Sequence, residues 1–573
     1  MLKGVAASPG IAIGKAFLYT KEKVTINVEK IEESKVEEEI AKFRKALEVT
    51  QEEIKKIKEK ALEEFGKEKA EIFEAHLMLT SDPELIEGVE NMIKTELVTA
   101  DNAVNKVIEQ NASVMESLND EYLRERAVDL RDVGNRIIEN LLGVKSVNLS
   151  DLEEEVVVIA RDLTPSDTAT MKKEMVLGFA TDVGGRTSHT AIMARSLEIP
   201  AVVGLGNVTS QVKAGDLVIV DGLEGVVIVN PDEKTVEDYK SKKESYEKKV
   251  ERLKQLKDLP AETPDGKKVM LAANIGTPKD IASALANGAE GVGLFRTEFL
   301  YMDRNSLPSE EEQFEAYKEV VEKMGGRPVT IRTLDIGGDK ELPYLGMPKE
   351  MNPFLGYRAI RLCLDRPDIF KTQLRAILRA SAYGNVQIMY PMISSVEEVR
   401  KANSILEEVK AELDREGVKY DKEIKVGIMV EIPSAALTAD ILAKEVDFFS
   451  IGTNDLTQYT LAVDRMNEHV KEYYQPFHPA ILRLVKMVID AAHKEGKFAA
   501  MCGEMAGDPL AAVILLGLGL DEFSMSATSI PEIKNIIRNV EYEKAKEIAE
   551  KALNMSEAKE IQKMMEEVIK DIE

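Results

Sequence analysis

Phe448-Phe449-Ser450-Ile451-Gly452-Thr453-Asn454-Asp455 is a short apolar run that ends on an amide and a carboxylate. So short a run, closed by glycine, suits a buried strand better than a helix. The same pattern repeats on both sides of it. From Pro264 onward the candidate strands are Val269–Asn274, Gly291–Phe295, Val329–Asp335, Val386–Met392, Lys425–Ile432, Phe448–Gly452, Phe498–Gly503 and Glu522–Ser526. Each of these eight is followed by a helical stretch. Alternating strands and helices predict a parallel α/β domain, and eight such units fit either a TIM (β/α)8 barrel or a large open sheet. The polar residues decide for the barrel. Arg296, Arg332, Glu431, Asn454 with Asp455, and Cys502 all fall at or just past the C-terminal ends of their strands. In a barrel those ends converge on one face, where active sites lie.

Upstream the pattern changes twice. Residues 231–260 place Val236, Tyr239, Tyr246, Val250 and Leu253 on a charged background, which predicts an amphipathic connector helix ending before Pro260. Before it, strand-like runs at Val156–Ala160, Val176–Ala180, Ala201–Val203, Leu217–Val220 and Val226–Val229 join short apolar runs in residues 2–20. Between them, from about Ile31 to Leu142, apolar positions such as Ile40, Phe43, Leu47, Ile54 and Ile57 recur at helical spacing among Lys and Glu. The economical reading is one small α/β domain, residues 1–30 and 145–230, with a helical bundle, 31–144, inserted in it. The linker 231–260 then leads to the barrel, 261–573.

The whole chain has 573 residues, enough for several domains. Its formal charge is −26, which disfavours a nucleic-acid partner, because phosphates need Lys and Arg. Its two cysteines cannot build a disulfide framework and suggest a reducing, cytoplasmic setting. The longest apolar stretch, Leu510 to Leu520, is about half of what a bilayer demands, so no membrane insertion is expected.

Two constellations carry chemistry. The first is Gly184-Gly185-Arg186-Thr187-Ser188-His189-Thr190, between a strand and a helix. The glycines allow a tight turn, Thr187 or Ser188 can cap the helix, and the helix start favours negative charge. A neutral imidazole is already nucleophilic, so His189 can accept a phosphoryl group without a partner base. The bland alternative is a capped helix with an exposed histidine. His76, His469, His478 and His493 lack a glycine-rich approach, and packing or surface roles suit them better.

The second constellation is the barrel mouth. Arg296, Arg332, Arg358 and Arg465 offer planar forks for phosphate and carboxylate. Glu431 and Asp455 suit Mg²⁺, which binds through one or two carboxylates and substrate oxygens; alternatively they only pair with the arginines. Asn454 can orient an anion. The Cys502 thiol, protonated near neutral pH, can give a proton to an enolate, although a lone cysteine there is commonly a small buried hydrophobe. Phosphoenolpyruvate, with a phosphate and a carboxylate, fits both sites, and the implied transfer between domains requires a large movement about the connector.

At these residues the sequence resembles a known family. Gly184-Gly185-Arg186-Thr187-Ser188-His189-Thr190-Ala191-Ile192 is similar to the phosphohistidine signature of Enzyme I, the phosphoenolpyruvate–protein phosphotransferase of the bacterial sugar phosphotransferase system. Asp447 to Gln458, Gly4-Val5-Ala6-Ala7-Ser8-Pro9-Gly10 and Gly293-Leu294-Phe295-Arg296-Thr297-Glu298 resemble it as well. The resemblance implies a multidomain α/β protein with a swivelling phosphohistidine domain. It implies that His189 is phosphorylated, that Arg296, Arg332, Asn454, Asp455 and Arg465 contact phosphoenolpyruvate with Arg358 and Lys340 nearby, that Glu431 and Asp455 hold Mg²⁺, and that Cys502 donates the proton. It further implies that the bundle docks the histidine-containing phosphocarrier protein and that the barrel forms a homodimer. The rivals are a pyruvate, phosphate dikinase or phosphoenolpyruvate synthase, which need an ATP-binding module not evident here, and a non-catalytic regulatory scaffold, which has no need of these residues together.

Overall fold

The computed structural model describes the chain except residues 20–25, 66, 118–120, 145–148, 150, 151, 165, 166, 169, 170, 186, 187, 303, 339–341, 348, 468 and 573; some side chains, that of His189 among them, are also outside the description. The chain divides into two compact units, Met1–Lys249 and Val250–Glu573.

The first unit is built on a mixed sheet. Its strands are β1 (Leu2–Lys3), β2 (Val5–Ser8), β3 (Ile11–Tyr19), β4 (Val156–Ala160), β5 (Val176–Thr181), β6 (Ala201–Val203), β7 (Leu217–Asp221) and β8 (Val226–Val229), in the order β1-β8-β7-β3-β4-β5-β6-β2. The uninterrupted apolar run of β4 has a direct cause, since both sheet faces are covered. Val156, Val158 and Ala160 join one core with Ala191, Ala194 and Leu197 of helix His189–Leu197, while Val157 and Ile159 join the other with Val208 and Val212. β3 and β4 lie side by side and parallel, yet some 130 residues separate them in sequence.

That interval holds helices Val36–Phe65, Lys67–Thr80, Pro83–Glu96, Ala100–Ser117 and Glu121–Leu142. Ile40, Phe43 and Leu47 from the first enter a core with Val89, Ile93, Val104 and Ile137, and Ile54 and Ile57 form a smaller cluster with Phe73. Both apolar stripes expected from the helical spacing are therefore buried. The connector is a helix over Glu233–Gln255, but none of its residues is buried. Val236, Tyr239, Tyr246, Val250 and Leu253 are each half-buried while most of the helix is exposed, which is the expected amphipathic pattern.

The second unit is a closed, all-parallel barrel of β9 (Met270–Ile275), β10 (Gly291–Phe295), β11 (Val329–Arg332), β12 (Val386–Tyr390), β13 (Lys425–Val430), β14 (Phe448–Ile451), β15 (Phe498–Met501) and β16 (Glu522–Met525). Several strands stop one to three residues before their apolar runs do, because the ladder ends where the chain turns outward. Thr333–Asp335 and Met392 thus lie above the sheet, on the loop side. The interior is packed, with Leu294, Met389, Met429, Phe448 and Cys502 in one cluster and Phe448 stacked on Phe498 at 5.1 Å. Alternation along the strands then aims Arg296 and Glu431, two residues beyond Leu294 and Met429, into the same interior.

One interior group is costly. Glu522, 7% exposed, stands where a Cβ on Gly293 would come within 2.4 Å of its Oε1. Burial, with a smaller contribution from Asp521, pushes its carboxyl up to about 7. A group with a raised folded-state pKa binds its extra proton in the fold, so its stabilisation is full below the ordinary carboxylate pKa of 4.5 and is lost as pH rises from there through about 7. Keeping it ionised above that point costs on the order of 3 kcal/mol. Glu522→Gln is therefore expected to raise the urea midpoint of unfolding at about pH 8.5 and to leave it near wild type at about pH 4. An equal change at both pH values would contradict this.

Candidate active site at the mouth of the barrel

The residues picked out by their places at strand ends come together. Arg296 after β10, Arg332 closing β11, Glu431 after β13, Asn454 and Asp455 after β14, and Cys502 after β15 line one cavity of about 100 Å³, joined by Arg358 and Arg465 from the loops. Arg296 and Cys502 also border a wider opening of about 490 Å³. Lys340 lies outside the described residues.

The arginines are not simply free forks. Arg332 is clamped between Glu298 at 2.6 Å and Asp335 at 3.0 Å, and Asp335 also holds Arg358 at 2.8 Å. Burial alone would lower the pKa of Arg332; Glu298, Asp335 and Glu431 outweigh it and hold the group firmly charged. The same balance, with Asp335 and Asp455 as the main anions, holds for Arg358. Arg296 differs. Part of its side chain is exposed, and desolvation together with the neighbouring Arg332 lowers its pKa.

The carboxylates singled out as metal ligands behave differently from those that serve the arginines. Glu431 accepts a hydrogen bond from the Met392 backbone N–H at 2.6 Å, which Met392 delivers from a left-handed conformation (φ 57°). Burial, then Asp455 and Asp335, push the Glu431 carboxyl up to about 8. A Cβ on Gly452 would stand 3.0 Å from Glu431 Oε2, so glycine makes room for this carboxylate. Asp455 keeps a buried Oδ1 with no hydrogen-bond partner, 4.0 Å from Arg465 Nη2. Glu298 and Asp335 make the close ion pairs to Arg332 and Arg358, whereas Asp455 stands 4.0 Å from Arg465 and Glu431 acts on Arg332 through its charge alone.

No group of three or more His, Cys, Asp or Glu able to hold a metal by itself occurs among the described residues. A two-carboxylate half-site with an unpartnered buried oxygen fits a hard divalent cation whose remaining positions go to substrate oxygens and water. Buried donors are unpartnered too, at Arg332 Nε, Arg358 Nε and Arg465 Nη1. Native interiors rarely leave such groups unpaired without a ligand or function.

Asn454 Oδ1 accepts from the Glu504 backbone N–H at 2.9 Å, which fixes the amide. Cys502 is 4% exposed, its Sγ 3.9 Å from the Ile451 carbonyl oxygen. Burial, with Glu431 adding to it, pushes the thiol up to about 11, so it is protonated at neutral pH.

In the first unit, helix His189–Leu197 starts at His189, and Ser188 rather than Thr187 caps it, its Oγ accepting from Ala191 N–H at 3.4 Å. Gly184 has φ +114°, and a Cβ there would stand 3.0 Å from Ser188 Oγ, so this glycine is needed for the turn. Thr190 Oγ1 donates to Asp162 Oδ1 at 3.1 Å. Arg186, Thr187 and the His189 side chain lie outside the description. The other four histidines are accounted for locally: His76 is buried beside Phe73, His469 is exposed, His478 caps a helix through Ala480 N–H, and His493 pairs with Asp521.

Sequence reasoning missed Asp335, Tyr459 and the Met392 backbone N–H, and passed over Glu298 inside a motif it quoted. A carboxylate followed by Gly337-Gly338 at the end of an apolar run was the available signal for Asp335.

Comparison with known proteins extends this geometry. The PEP-binding domain of PEP-utilising enzymes matches residues 250–542, their mobile domain 152–225 and their N-terminal domain 3–126. Fold and site thus define an enzyme that uses phosphoenolpyruvate. A phosphoenolpyruvate-protein phosphotransferase of Staphylococcus carnosus is 54% identical over 100% of this chain and 99% of its own, and one of Priestia megaterium is 57% identical over 98% and 97%. An NMR solution structure of Enzyme I (nEIt) is 98% identical, covering 43% of this chain and all of its own, with a TM-score of 0.39. The chain belongs to the phosphoenolpyruvate–protein phosphotransferase family, Enzyme I of the bacterial phosphotransferase system.

The raised Cys502 thiol makes a direct prediction. Its alkylation by iodoacetamide, followed by mass spectrometry to separate it from Cys363, is expected to accelerate steadily from about pH 7 towards about 11. A plateau by about pH 9 would show that the thiol is not held protonated.

Proposed function

We propose that, as the enzyme transfers a phosphoryl group from phosphoenolpyruvate to protein, His189 is the acceptor and the barrel cavity holds the donor. The observation that carries this reading is the set of buried, unpartnered groups (Arg332 Nε, Arg358 Nε, Arg465 Nη1 and Asp455 Oδ1) in one small cavity, a mixture of cationic donors and an anionic acceptor that suits an anion bound together with a cation.

Arg296, Arg332, Asn454 and Arg465 bind the phosphate and carboxylate, with Arg358 beside them; Lys340 is assigned to the same substrate. Glu431 and Asp455 would hold the metal that phosphoenolpyruvate-utilising enzymes use, here assigned as Mg²⁺. When bound it neutralises substrate charge as a Lewis acid. The His189 lone pair forms an N–P bond as the P–O bond to the enolate breaks. The enolate then takes a proton from the Cys502 thiol at its methylene carbon, giving pyruvate, and solvent returns the proton to sulfur. The helix start at Ser188 and His189 favours the charge that arrives there.

The same proposal divides the chain as the sequence suggested: 1–30 with 145–230 as the phosphohistidine domain, 31–144 as the bundle that docks the histidine-containing phosphocarrier protein, 231–260 as linker, and 261–573 as the phosphoenolpyruvate-binding and dimerisation barrel. Exposed Met78, Val114 and Val128 on the bundle, and Leu355 and Leu437 on the barrel, offer apolar surface for the carrier and for a second copy. Both cysteines are free, and no helix among the described residues is long and apolar enough to cross a membrane, in keeping with a cytoplasmic placement.

Incubation with labelled phosphoenolpyruvate and Mg²⁺ is expected to give acid-labile, base-stable label on the wild type and none on His189→Ala. Label on the variant would remove His189 from the mechanism. Chelation of the metal should abolish labelling. Cys502→Ala should slow pyruvate formation by about 10²-fold or more while Mg²⁺ affinity stays near wild type; a large loss of metal binding would contradict the proton-donor role.

A further inference from the structure

Asp335 lies three residues past β11 and is 2% exposed. Its two oxygens serve two guanidiniums from different places in the chain, Oδ2 pairing with Arg332 Nη1 at 3.0 Å and Oδ1 accepting from Arg358 Nη2 at 2.8 Å. Each guanidinium has a second anchor. Glu298 holds Arg332 Nη2 at 2.6 Å, and the Tyr459 hydroxyl accepts from Arg358 Nη1 at 3.2 Å while donating to the Phe354 carbonyl at 2.6 Å. The result is one chain, Glu298–Arg332–Asp335–Arg358–Tyr459, running across the cavity from the loop after β10 to the helix Thr453–Leu461 that carries Asp455.

The backbone is bent to make this chain. Gly337 has φ +110°, and a Cβ on it would stand 2.4 Å from Arg358 Cβ. Ala359, next to Arg358, is fully buried at φ 51°, ψ −126°, outside the regions an alanine favours. Such conformations cost about 1–3 kcal/mol and persist where the surroundings impose them. Buried ion pairs are poor sources of stability, because desolvation opposes their attraction. A carboxylate lining a cavity for an anion also opposes that anion's binding. Asp335 therefore costs the ground state, and its return must be sought in orientation.

We propose that Asp335 is a positioning residue. It fixes the planes of Arg332 and Arg358 so that the N–H groups it does not use, including both buried Nε–H, stay oriented for the anionic oxygens of the substrate during transfer. This rests on the reading that these arginines bind phosphoenolpyruvate.

The signature is a split between rate and affinity. In full-length Asp335→Asn the saturating rate of phosphoryl transfer from phosphoenolpyruvate is expected to fall by about 10²-fold, the scale of a small misplacement of catalytic groups. Binding of phosphoglycolate, which carries the same phosphate and carboxylate, should stay equal or tighten, because a negative charge has left the cavity. Asp335→Glu should recover part of the rate. General loosening of the barrel would weaken rate and binding together. A folded Asp335→Asn within threefold of the wild-type rate, or a rate loss matched by an equal loss of phosphoglycolate affinity, overturns the proposal. If Asp335→Asn does not fold, as judged by its thermal transition, Tyr459→Phe decides: a slower rate with intact phosphoglycolate binding supports the proposal, and an unchanged rate overturns it. Wild type that binds no phosphoglycolate would sink the arginine reading itself, whereas wild type that binds it beside an indifferent Asp335→Asn sinks only this inference.

Discussion

Charge balance in a small enclosed volume governs the barrel mouth. Four guanidiniums, Arg296, Arg332, Arg358 and Arg465, line it with three carboxylates, Asp335, Glu431 and Asp455, and a fourth, Glu298, pairs with Arg332. With all eight ionised their formal charges cancel, and the raised Glu431 carboxyl adds at most one positive charge near neutral pH. A substrate of charge about −3 brought alone into this site would leave most of that charge uncompensated in a poorly solvated space, where unpaired charge is expensive. A divalent cation entering with it removes most of the excess. On the proposed function, substrate and cation are thus coupled by electrostatics before any chemistry occurs. The division of labour follows from the same constraint. Glu298 and Asp335 make the close ion pairs to Arg332 and Arg358, while Asp455 stands 4.0 Å from Arg465 and Glu431 accepts a backbone N–H, which is why the proposed function gives the metal to these last two.

Much of this was legible from the sequence because parity along a strand is a local property. Once β10 and β13 are recognised, Leu294 and Arg296, or Met429 and Glu431, must share a face, and the closed barrel brings those faces together. Both faces of β4 are covered, and its sequence says so by being wholly apolar. What could not be read is which carboxylate meets which arginine. Asp335 and Arg358 are separated by 23 positions and joined by a glycine turn, while Tyr459 lies on another βα unit altogether. Such pairings depend on the three-dimensional closure of the loops. Strand ends were overrun for a related reason. Hydrophobicity continues past the last ladder bond, and the residues just beyond it, Asp335 and Met392, are the ones that turn towards the cavity chemistry. The connector was legible as well, because its spaced apolar residues Val236, Tyr239, Tyr246, Val250 and Leu253 are half-buried on an otherwise mostly exposed helix.

The backbone records where folding stability has been traded for the site. Among the described residues six that are not glycine carry positive φ. Leu97, Glu198 and Ala462 close helices, where a left-handed residue satisfies terminal carbonyls. Asn230 is of a type that tolerates the conformation. Ala359 and Met392 have neither excuse. Ala359 begins a helix, where positive φ serves no cap, and Met392 is a large buried side chain in a loop. Ala359 follows the arginine that Asp335 holds, and Met392 turns its N–H onto Glu431. The two unexplained distortions therefore adjoin Arg358 and Glu431, an arginine and a carboxylate that line one cavity. The extensive apolar core of the surrounding barrel is what allows them to persist, since strain of this size survives only where packing elsewhere over-determines the chain.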